Sequence, residues 1–147
     1  MKKVCYLAGG FHSDWQERTM KMLRNLNFYT PKGKCLIESV NDIGCIQHSV
    51  VGVDGVYKDV MSIPEYKAWD LFAIRNSDIV FLYHERTHPG FADCMEAAYA
   101  KGLGKTIVIC TELENTKVSD RYIAFVESFG DIVFHDYVEA ISFLTTL

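Results

Sequence analysis

Residues 78–83, with the sequence DIVFLY, and residues 90–100, with the sequence GFADCMEAAYA, decide how this chain folds. The first stretch predicts a buried β-strand, and the second reads as the start of a helix with small and apolar residues. A strand followed by a helix is the repeating unit of an open α/β sheet, which binds its ligands at the carboxyl ends of its strands. Glu96 therefore places a carboxylate at a predicted ligand site, although an ordinary first-turn acid favoured by the helix dipole would look the same.

The rest of the chain alternates strands and helices in the same manner. Further strands are predicted at 3–8, 35–40, 106–110 and 131–134, and helices at 15–26, 64–76, 92–102, 119–128 and 137–146. Residues 41–62 have no clear period, so we predict a long loop there. Repeated βα units predict a doubly wound, three-layer α/β sandwich of the flavodoxin or Rossmann-like kind, with a mainly parallel five-stranded sheet. No linker or internal repeat divides residues 1–147, which predicts a single domain.

Composition argues against several classes of function. The 147 residues are 49% hydrophobic and 23% charged, as in soluble globular proteins. The net charge of −4 comes without a basic run, so the chain lacks the electrostatic footprint of a protein that binds nucleic acid polymers. The sequence predicts no signal peptide, and it has no apolar run approaching about 18 residues. We therefore expect a cytoplasmic protein that makes no contact with a membrane.

Metal and cofactor motifs are not found in the sequence. The five cysteines are an odd number without CxxC spacing, which indicates thiols in a reducing compartment. The five histidines show no spacing typical of metal ligands. The Gly9-Gly10 pair after the first strand lacks the third glycine of a dinucleotide loop, and no Walker lysine follows it. We expect neither a metal ion nor a cofactor.

Three candidate segments would meet at the carboxyl ends of the strands. In the first, Gly9 and Gly10 permit close backbone approach to a ligand, and Tyr6 and Phe11 offer aromatic faces and a hydroxyl. A simple strand-ending turn would have the same glycines. The second is Asp70 on the predicted helix 64–76, where an aspartate beside apolar neighbours can equally be a boundary residue. The third is the helix that carries Glu96.

In their order along the chain, these segments resemble the nucleoside 2-deoxyribosyltransferase family, which includes related deoxynucleotide N-glycosidases. The matching pieces are residues 6–9 (YLAG), 69–74 (WDLFAI) followed by 77–80 (SDIV), and 95–100 (MEAAYA) leading to Gly104-Lys105. The 26-residue step from Asp70 to Glu96 is similar to the step between the family's base-contacting aspartate and its nucleophilic glutamate. The resemblance covers roughly residues 3–110.

The resemblance implies a role for each candidate. Glu96 would attack the anomeric carbon of a 2-deoxyriboside and form a glycosyl-glutamate ester. Asp70 would contact the base and supply or relay the proton that makes the base a leaving group. Tyr6 would orient the nucleophile. The substrate floor beside base or sugar would be formed by Gly9, Gly10 and Phe11.

The family's assembly is also expected here. Transferase members complete their sites with the C-terminal region of a neighbouring subunit, for which Asp131 and the helix beginning at Tyr137 are candidates. The apolar residues of 122–126 and 143–144 indicate apolar surface left over after one core has formed. Closed symmetric association is the usual way to cover such surface, so we predict a homodimer or a higher homo-oligomer.

Gly90 departs from the family pattern and leaves the substrate open. At this position the transferases carry an aspartate that holds the sugar hydroxyls, and the hydrolases carry a serine that holds the 5′-phosphate. Asp93 or His88 could replace that side chain. Backbone N–H groups of residues 90–94 can still bind an anion, but the Asp93 carboxylate would repel a phosphate. We therefore place Gly90 and Asp93 in the substrate site and favour an unphosphorylated deoxynucleoside.

Three functions stay open on the sequence. The first is transfer of the sugar of a 2-deoxynucleoside from one base to another. The second is hydrolysis of the same bond in a deoxynucleoside 5′-monophosphate. The third is a catalytically silent nucleotide-binding or sensor protein, which the altered residues 90–94 would suit. An NAD glycohydrolase of the Toll/interleukin-receptor type shares the architecture, but the order of the motifs disfavours it.

Overall fold

The computed structural model describes residues 1–10, 13–30, 33–35, 49–51, 57–59, 63–85, 90–112 and 120–147. The strands are β1 (Val4–Ala8), β2 (Asn27–Thr30), β3 (Gly33–Cys35), β4 (Ser49–Val51), β5 (Tyr57–Asp59), β6 (Ile79–His84), β7 (Thr106–Thr111) and β8 (Ile132–Phe134). The helices are α1 (Trp15–Met22), α2 (Ile63–Arg75), α3 (Ala92–Gly102), α4 (Asp120–Glu127) and α5 (Tyr137–Leu144).

Six strands form one sheet in the order β3-β2-β1-β6-β7-β8. Strands β2, β1, β6, β7 and β8 are parallel, and β3 adds an antiparallel edge next to β2. The five parallel strands confirm the predicted α/β fold. The chain builds the sheet outward from β1 to β3 and then returns to place β6 on the other side of β1, so the strand order reverses between β1 and β6. Ligands of open α/β sheets bind at the carboxyl ends of the strands at this reversal.

Alternation of side chains along the central strands gives each face of the sheet its own core. On one face, Leu7 of β1 is buried with residues of α1 and α5. On the other face, Tyr6 is buried with Ala73 of α2 and Ala97 of α3. Tyr6 therefore lies on the side of the sheet that α2 and α3 cover, which is the side where the other two candidate residues lie.

The structure corrects the prediction between the first helix and the second strand. The helix predicted at 15–26 ends at Met22, and the second parallel strand is Asn27–Thr30 rather than 35–40. Leu23 and Leu26, which look like a further helical turn, are instead fully buried in the core beneath the sheet. The N–H of Asn27 then donates to the carbonyl of Lys3 at 2.9 Å, at the start of the pairing with β1. Of the predicted strand, Cys35 ends β3 and residues 36–40 lie outside the described residues.

The segment 41–62, predicted to be a loop, contains two short strands. Ser49–Val51 and Tyr57–Asp59 pair antiparallel as β4 and β5. Each is only three residues long, which is too short for an alternating pattern to show in the sequence. The other residues of this segment lie outside the described part of the chain.

The other predicted elements agree with the structure to within two residues at each end, which is the ordinary spread of helix and strand assignments. The prediction for α3, residues 92–102, is confirmed at both ends. Among the described residues, no helix combines the length and the apolar character needed to cross a membrane.

Candidate active site

Tyr6, Asp70 and Glu96 come from three different elements, β1, α2 and α3, and meet at one point. The hydroxyl of Tyr6 lies 3.1 Å from Oδ1 of Asp70 and 2.9 Å from Oε1 of Glu96. Asp70 is 64 positions from Tyr6 along the chain, and Glu96 is 90 positions away. The structure thus brings together the three predicted catalytic residues around one phenol oxygen.

The two contacts of Tyr6 restrict how many protons the three side chains can carry. A phenol carries one hydrogen and can donate it to only one carboxyl group at a time. Both contacts are hydrogen bonds only when one carboxyl group is protonated and donates to the phenol oxygen while the other accepts from it. The geometry therefore suits one proton held between Asp70 and Glu96.

Burial also favours one shared proton on the two carboxyl groups. Asp70 is 7% exposed, and desolvation raises its pKa to about 7 although the hydrogen bond from Tyr6 acts in the opposite direction. Desolvation, followed by the negative charge of Asp70, raises the pKa of Glu96 well above its usual range. Two carboxyl groups that share a desolvated site resist ionising together, so near neutral pH the pair keeps a proton.

A cavity of about 460 Å³ opens between α2 and α3 and has both carboxyl groups in its wall. Its volume falls in the range of about 300–1,000 Å³ that is typical of small-molecule sites. The lining residues are Lys67, Asp70, Leu71, Ala92, Met95, Glu96 and Tyr99. Sequence reasoning missed all of these except the two acids. Helical spacing could have found Lys67 and Tyr99, because each lies three residues from a candidate acid and so on the same helix face.

The second oxygen of Glu96, Oε2, is buried and has no hydrogen-bond partner among the residues that the structure describes. A buried carboxylate oxygen without a partner has lost the stabilisation that water provides. Its lone pairs are not engaged by a donor within that part of the chain. Once Glu96 is ionised, this oxygen is available to a substrate atom in the cleft.

The Gly9-Gly10 turn has a structural reason of its own. Gly9 has a φ of +156°, and a Cβ at this position would lie 2.6 Å from the Tyr83 carbonyl oxygen and 2.7 Å from Cζ2 of Trp15. The Gly10 carbonyl accepts a hydrogen bond from Nε1 of Trp15 at 2.7 Å. Contact of Gly9 and Gly10 with a substrate stays a prediction, and Phe11 lies outside the described residues.

Asp93 occupies the space beside Gly90. A Cβ added at position 90 would overlap the Asp93 carboxylate, so the two positions compete for one volume. Oδ2 of Asp93 also lies 2.9 Å from Nε2 of His84. Burial lowers the pKa of His84, but the neighbouring Asp93 carboxylate outweighs it and raises that pKa to about 9. Contact of Asp93 or Gly90 with a substrate stays a prediction, and His88 lies outside the described residues.

Asp70→Asn is expected to change how stability depends on pH. The pKa of this carboxyl group rises from about 4 in the unfolded chain to about 7 in the folded one. The protonated group therefore makes its full contribution to the free energy of unfolding below pH 4. That contribution is lost as the pH rises to about 7. Relative to wild type, the variant should therefore gain about 1–4 kcal/mol of unfolding free energy between pH 4 and pH 8.

Urea unfolding at a series of pH values measures this effect. Asp14→Asn, which changes an exposed carboxylate on the other side of the sheet, is the matched control and should follow wild type. Parallel curves for wild type and Asp70→Asn would contradict the raised pKa.

Comparisons with known proteins bear on the fold of this site. By sequence, the chain matches no family model and no curated protein. By structure, it is similar to a 2-deoxyribosyltransferase from Leishmania mexicana, with a TM-score of 0.62, 13% identity, and coverage of 98% of this chain and 97% of that one. A 2-deoxyribosyltransferase from Bacillus psychrosaccharolyticus gives a TM-score of 0.55 and 15% identity over 96% and 95% of the two chains. A CMP N-glycosidase from Clostridium botulinum gives a TM-score of 0.54 and 11% identity over 99% of this chain and 100% of that one. The neighbours therefore agree with the resemblance predicted from the sequence at the level of the fold.

Proposed function

We propose that this protein is a nucleoside 2-deoxyribosyltransferase-like enzyme, which cleaves the N-glycosidic bond of a 2-deoxynucleoside and transfers the sugar to another base. The observation that carries the proposal is the Tyr6 hydroxyl placed between Asp70 and Glu96 in the wall of the cavity. Supporting it, the solved structures with this fold include two 2-deoxyribosyltransferases and a CMP N-glycosidase. The proposed chemistry needs one nucleophile and one acid, which is what the cleft offers.

The reactive form of the pair carries its proton on Asp70 and its negative charge on Glu96. In the first step, the Glu96 carboxylate attacks the anomeric carbon. A carbon–oxygen ester bond forms as the bond from that carbon to the base nitrogen breaks, and the bonding electrons leave with the base. Asp70 donates its proton to the departing base and becomes a carboxylate. Tyr6 then donates its hydrogen bond to whichever carboxyl oxygen carries the negative charge.

The second step reverses the first with a new base. The nitrogen of the incoming base attacks the anomeric carbon and displaces the Glu96 carboxylate, while the Asp70 carboxylate takes up the proton that the base loses. Each step ends with one proton on the carboxyl pair or on the base, so atoms and charge balance. Hydrolysis would follow the same course with water in place of the second base.

Product analysis tests the proposal directly. The purified protein is incubated with a 2-deoxynucleoside alone, with the same nucleoside plus a different free base, and with the corresponding 5′-monophosphate. Base exchange that requires the added base supports transfer, whereas free base released without an acceptor supports the N-glycosidase alternative. Binding of these compounds without turnover would favour the sensor, and neither binding nor turnover would refute all three functions.

We expect an unphosphorylated deoxynucleoside to be preferred over its monophosphate by at least about tenfold in kcat/KM. The cleft wall carries Asp70 and Glu96, so a phosphate would meet negative charge there. Lys67 is the one cation among the described lining residues. Steady-state kinetics on both substrates measure the ratio, and Lys67→Ala is the companion variant. A preference for the monophosphate that disappears in Lys67→Ala would reverse this prediction.

We also propose that the protein is a homodimer or a dimer-based homo-oligomer. The most exposed of the large apolar side chains on the side of the sheet that α3 and α4 cover are Phe91 at 75%, Met95 at 74% and Phe125 at 64%. Exposed apolar surface of this kind is usually covered by association. Light scattering should give at least twice the chain mass at micromolar concentration, and Phe125→Glu should lower it. Val138→Glu, at an exposed apolar residue on α5, is the control and should not. A monomeric wild type would contradict the proposal.

A further inference from the structure

His84, Asp93 and Cys94 form a cluster that the proposed sugar transfer does not use. His84 is the last residue of β6, and the other two lie in the first turn of α3. Nε2 of His84 is 2.9 Å from Oδ2 of Asp93 and 3.8 Å from Sγ of Cys94. One ligand atom from each of the three residues lies within 4.8 Å of the others.

We propose that this cluster binds a divalent transition-metal ion of the zinc class, with Nε2 of His84, Oδ2 of Asp93 and Sγ of Cys94 as ligands. Imidazole nitrogen, carboxylate oxygen and cysteine sulfur are the three donor types that Zn²⁺ takes from proteins. The sulfur excludes Mg²⁺ and Ca²⁺ as the preferred ions, because these hard cations bind oxygen.

The distances between the donor atoms suit such an ion. Tetrahedral Zn²⁺ with its ordinary bond lengths holds its ligand atoms about 3.4–3.6 Å apart. Two of the three separations in the cluster, 2.9 Å and 3.8 Å, lie on either side of that range, and the third is within 4.8 Å. The Gly90 carbonyl oxygen, 3.1 Å from Sγ of Cys94, is a fourth donor atom beside the cluster.

Burial also favours a cation at this cluster. Asp93 is only 4% exposed and His84 is 1% exposed. Oδ2 of Asp93 has Nε2 of His84 as its ion-pair partner at 2.9 Å. A buried carboxylate needs positive charge beside it, which a bound ion would supply in place of the proton of His84.

An ion can reach the cluster from the surface. Cys94 is half-buried and lines a cavity of about 220 Å³ between α3 and α4, together with Tyr122. A bound ion would tie the end of β6 to the first turn of α3, one helical turn before Glu96. The sequence conceals this site because His84 and Cys94 are ten residues apart and belong to no metal motif.

Cobalt titration tests the proposal. The protein is freed of metal with a chelator and titrated with Co²⁺, and Zn²⁺ is then added as competitor. We expect a thiolate-to-cobalt charge-transfer band at a stoichiometry of one ion per chain, which Zn²⁺ abolishes. Zn²⁺ at a hundred times its Kd should also raise the Tm of wild type by roughly 5 °C or more.

Variants assign the ligands. Cys94→Ser should lose the charge-transfer band and the rise in Tm, and His84→Gln should weaken Co²⁺ binding at least about tenfold. The controls are Cys110→Ala and His135→Ala, whose side chains lie outside the cluster, and both should bind Co²⁺ as wild type does. If Cys94→Ser does not fold, the wild-type titration and the His84→Gln variant still test whether the cluster binds the ion. No cobalt band in wild type, or a band that persists in Cys94→Ser, would overturn the proposal and leave His84 and Asp93 as an ion pair.

Discussion

Glu96→Gln is expected to lower kcat by at least about a thousandfold, with little change in the fold. Glutamine keeps the size and one oxygen of the side chain, so it can still accept the hydrogen bond of Tyr6, which lies 2.9 Å from Oε1. It cannot form the glycosyl ester, because a neutral amide is a poor nucleophile. Single-turnover and steady-state rates measure the loss, and circular dichroism and Tm report on the fold. Glu65→Gln, an exposed acid on α2 that does not line the cleft, is the matched control.

The covalent intermediate offers a second measurement on the same residue. A 2-fluoro-substituted substrate slows both steps and should allow the ester to accumulate on wild type. Mass spectrometry of the digested protein should then locate the added sugar on Glu96. An adduct on another residue, or a wild-type rate in Glu96→Gln, would mean that Glu96 is not the nucleophile.

Asp70→Asn is expected to lower kcat by about 10²–10⁴-fold, the usual contribution of a general acid. The pKa of Asp70 is about 7, and the acid acts only when protonated, so the wild-type rate should fall as the pH rises above 7. The asparagine variant should lack this decline. The titratable groups that face Asp70 are Tyr6 from β1, Glu96 from α3, and Lys67 and Tyr99 in the cavity wall.

Substrates with different leaving groups can show whether Asp70 acts as a general acid or only supports the structure of the cleft. A deoxynucleoside whose base leaves without protonation should be cleaved by Asp70→Asn at close to the wild-type rate, whereas an ordinary substrate should not. An equal loss on both substrates would assign Asp70 to the structure of the cleft instead. pH–rate profiles of both proteins on both substrates provide the comparison.

Much of the fold could be predicted from local pattern. The apolar run of β6 and the small-residue start of α3 are continuous in sequence, and the elements they predict are observed to within a residue. The 26-residue step from Asp70 to Glu96 also lies within one contiguous stretch, from α2 through β6 to α3, in which helix and strand lengths set the distance. The approach of these two acids to Tyr6, which lies 64 and 90 positions from them along the chain, was expected only from the resemblance to the family.

What the tertiary structure alone decided are the features that depend on packing between distant segments. Leu23 and Leu26 suit a helix by period, but the core beneath the sheet buries them, so the chain leaves the helix and Asn27 pairs with β1. The raised pKa values of Asp70 and Glu96 come from desolvation between β1, α2 and α3. Burial by neighbours cannot be inferred from the spacing of residues along one helix. The sequence by itself therefore determined the order of the elements from α2 onward and the candidate acids, whereas packing across the sheet determined the second strand, the pKa values of the acids and the cleft they share.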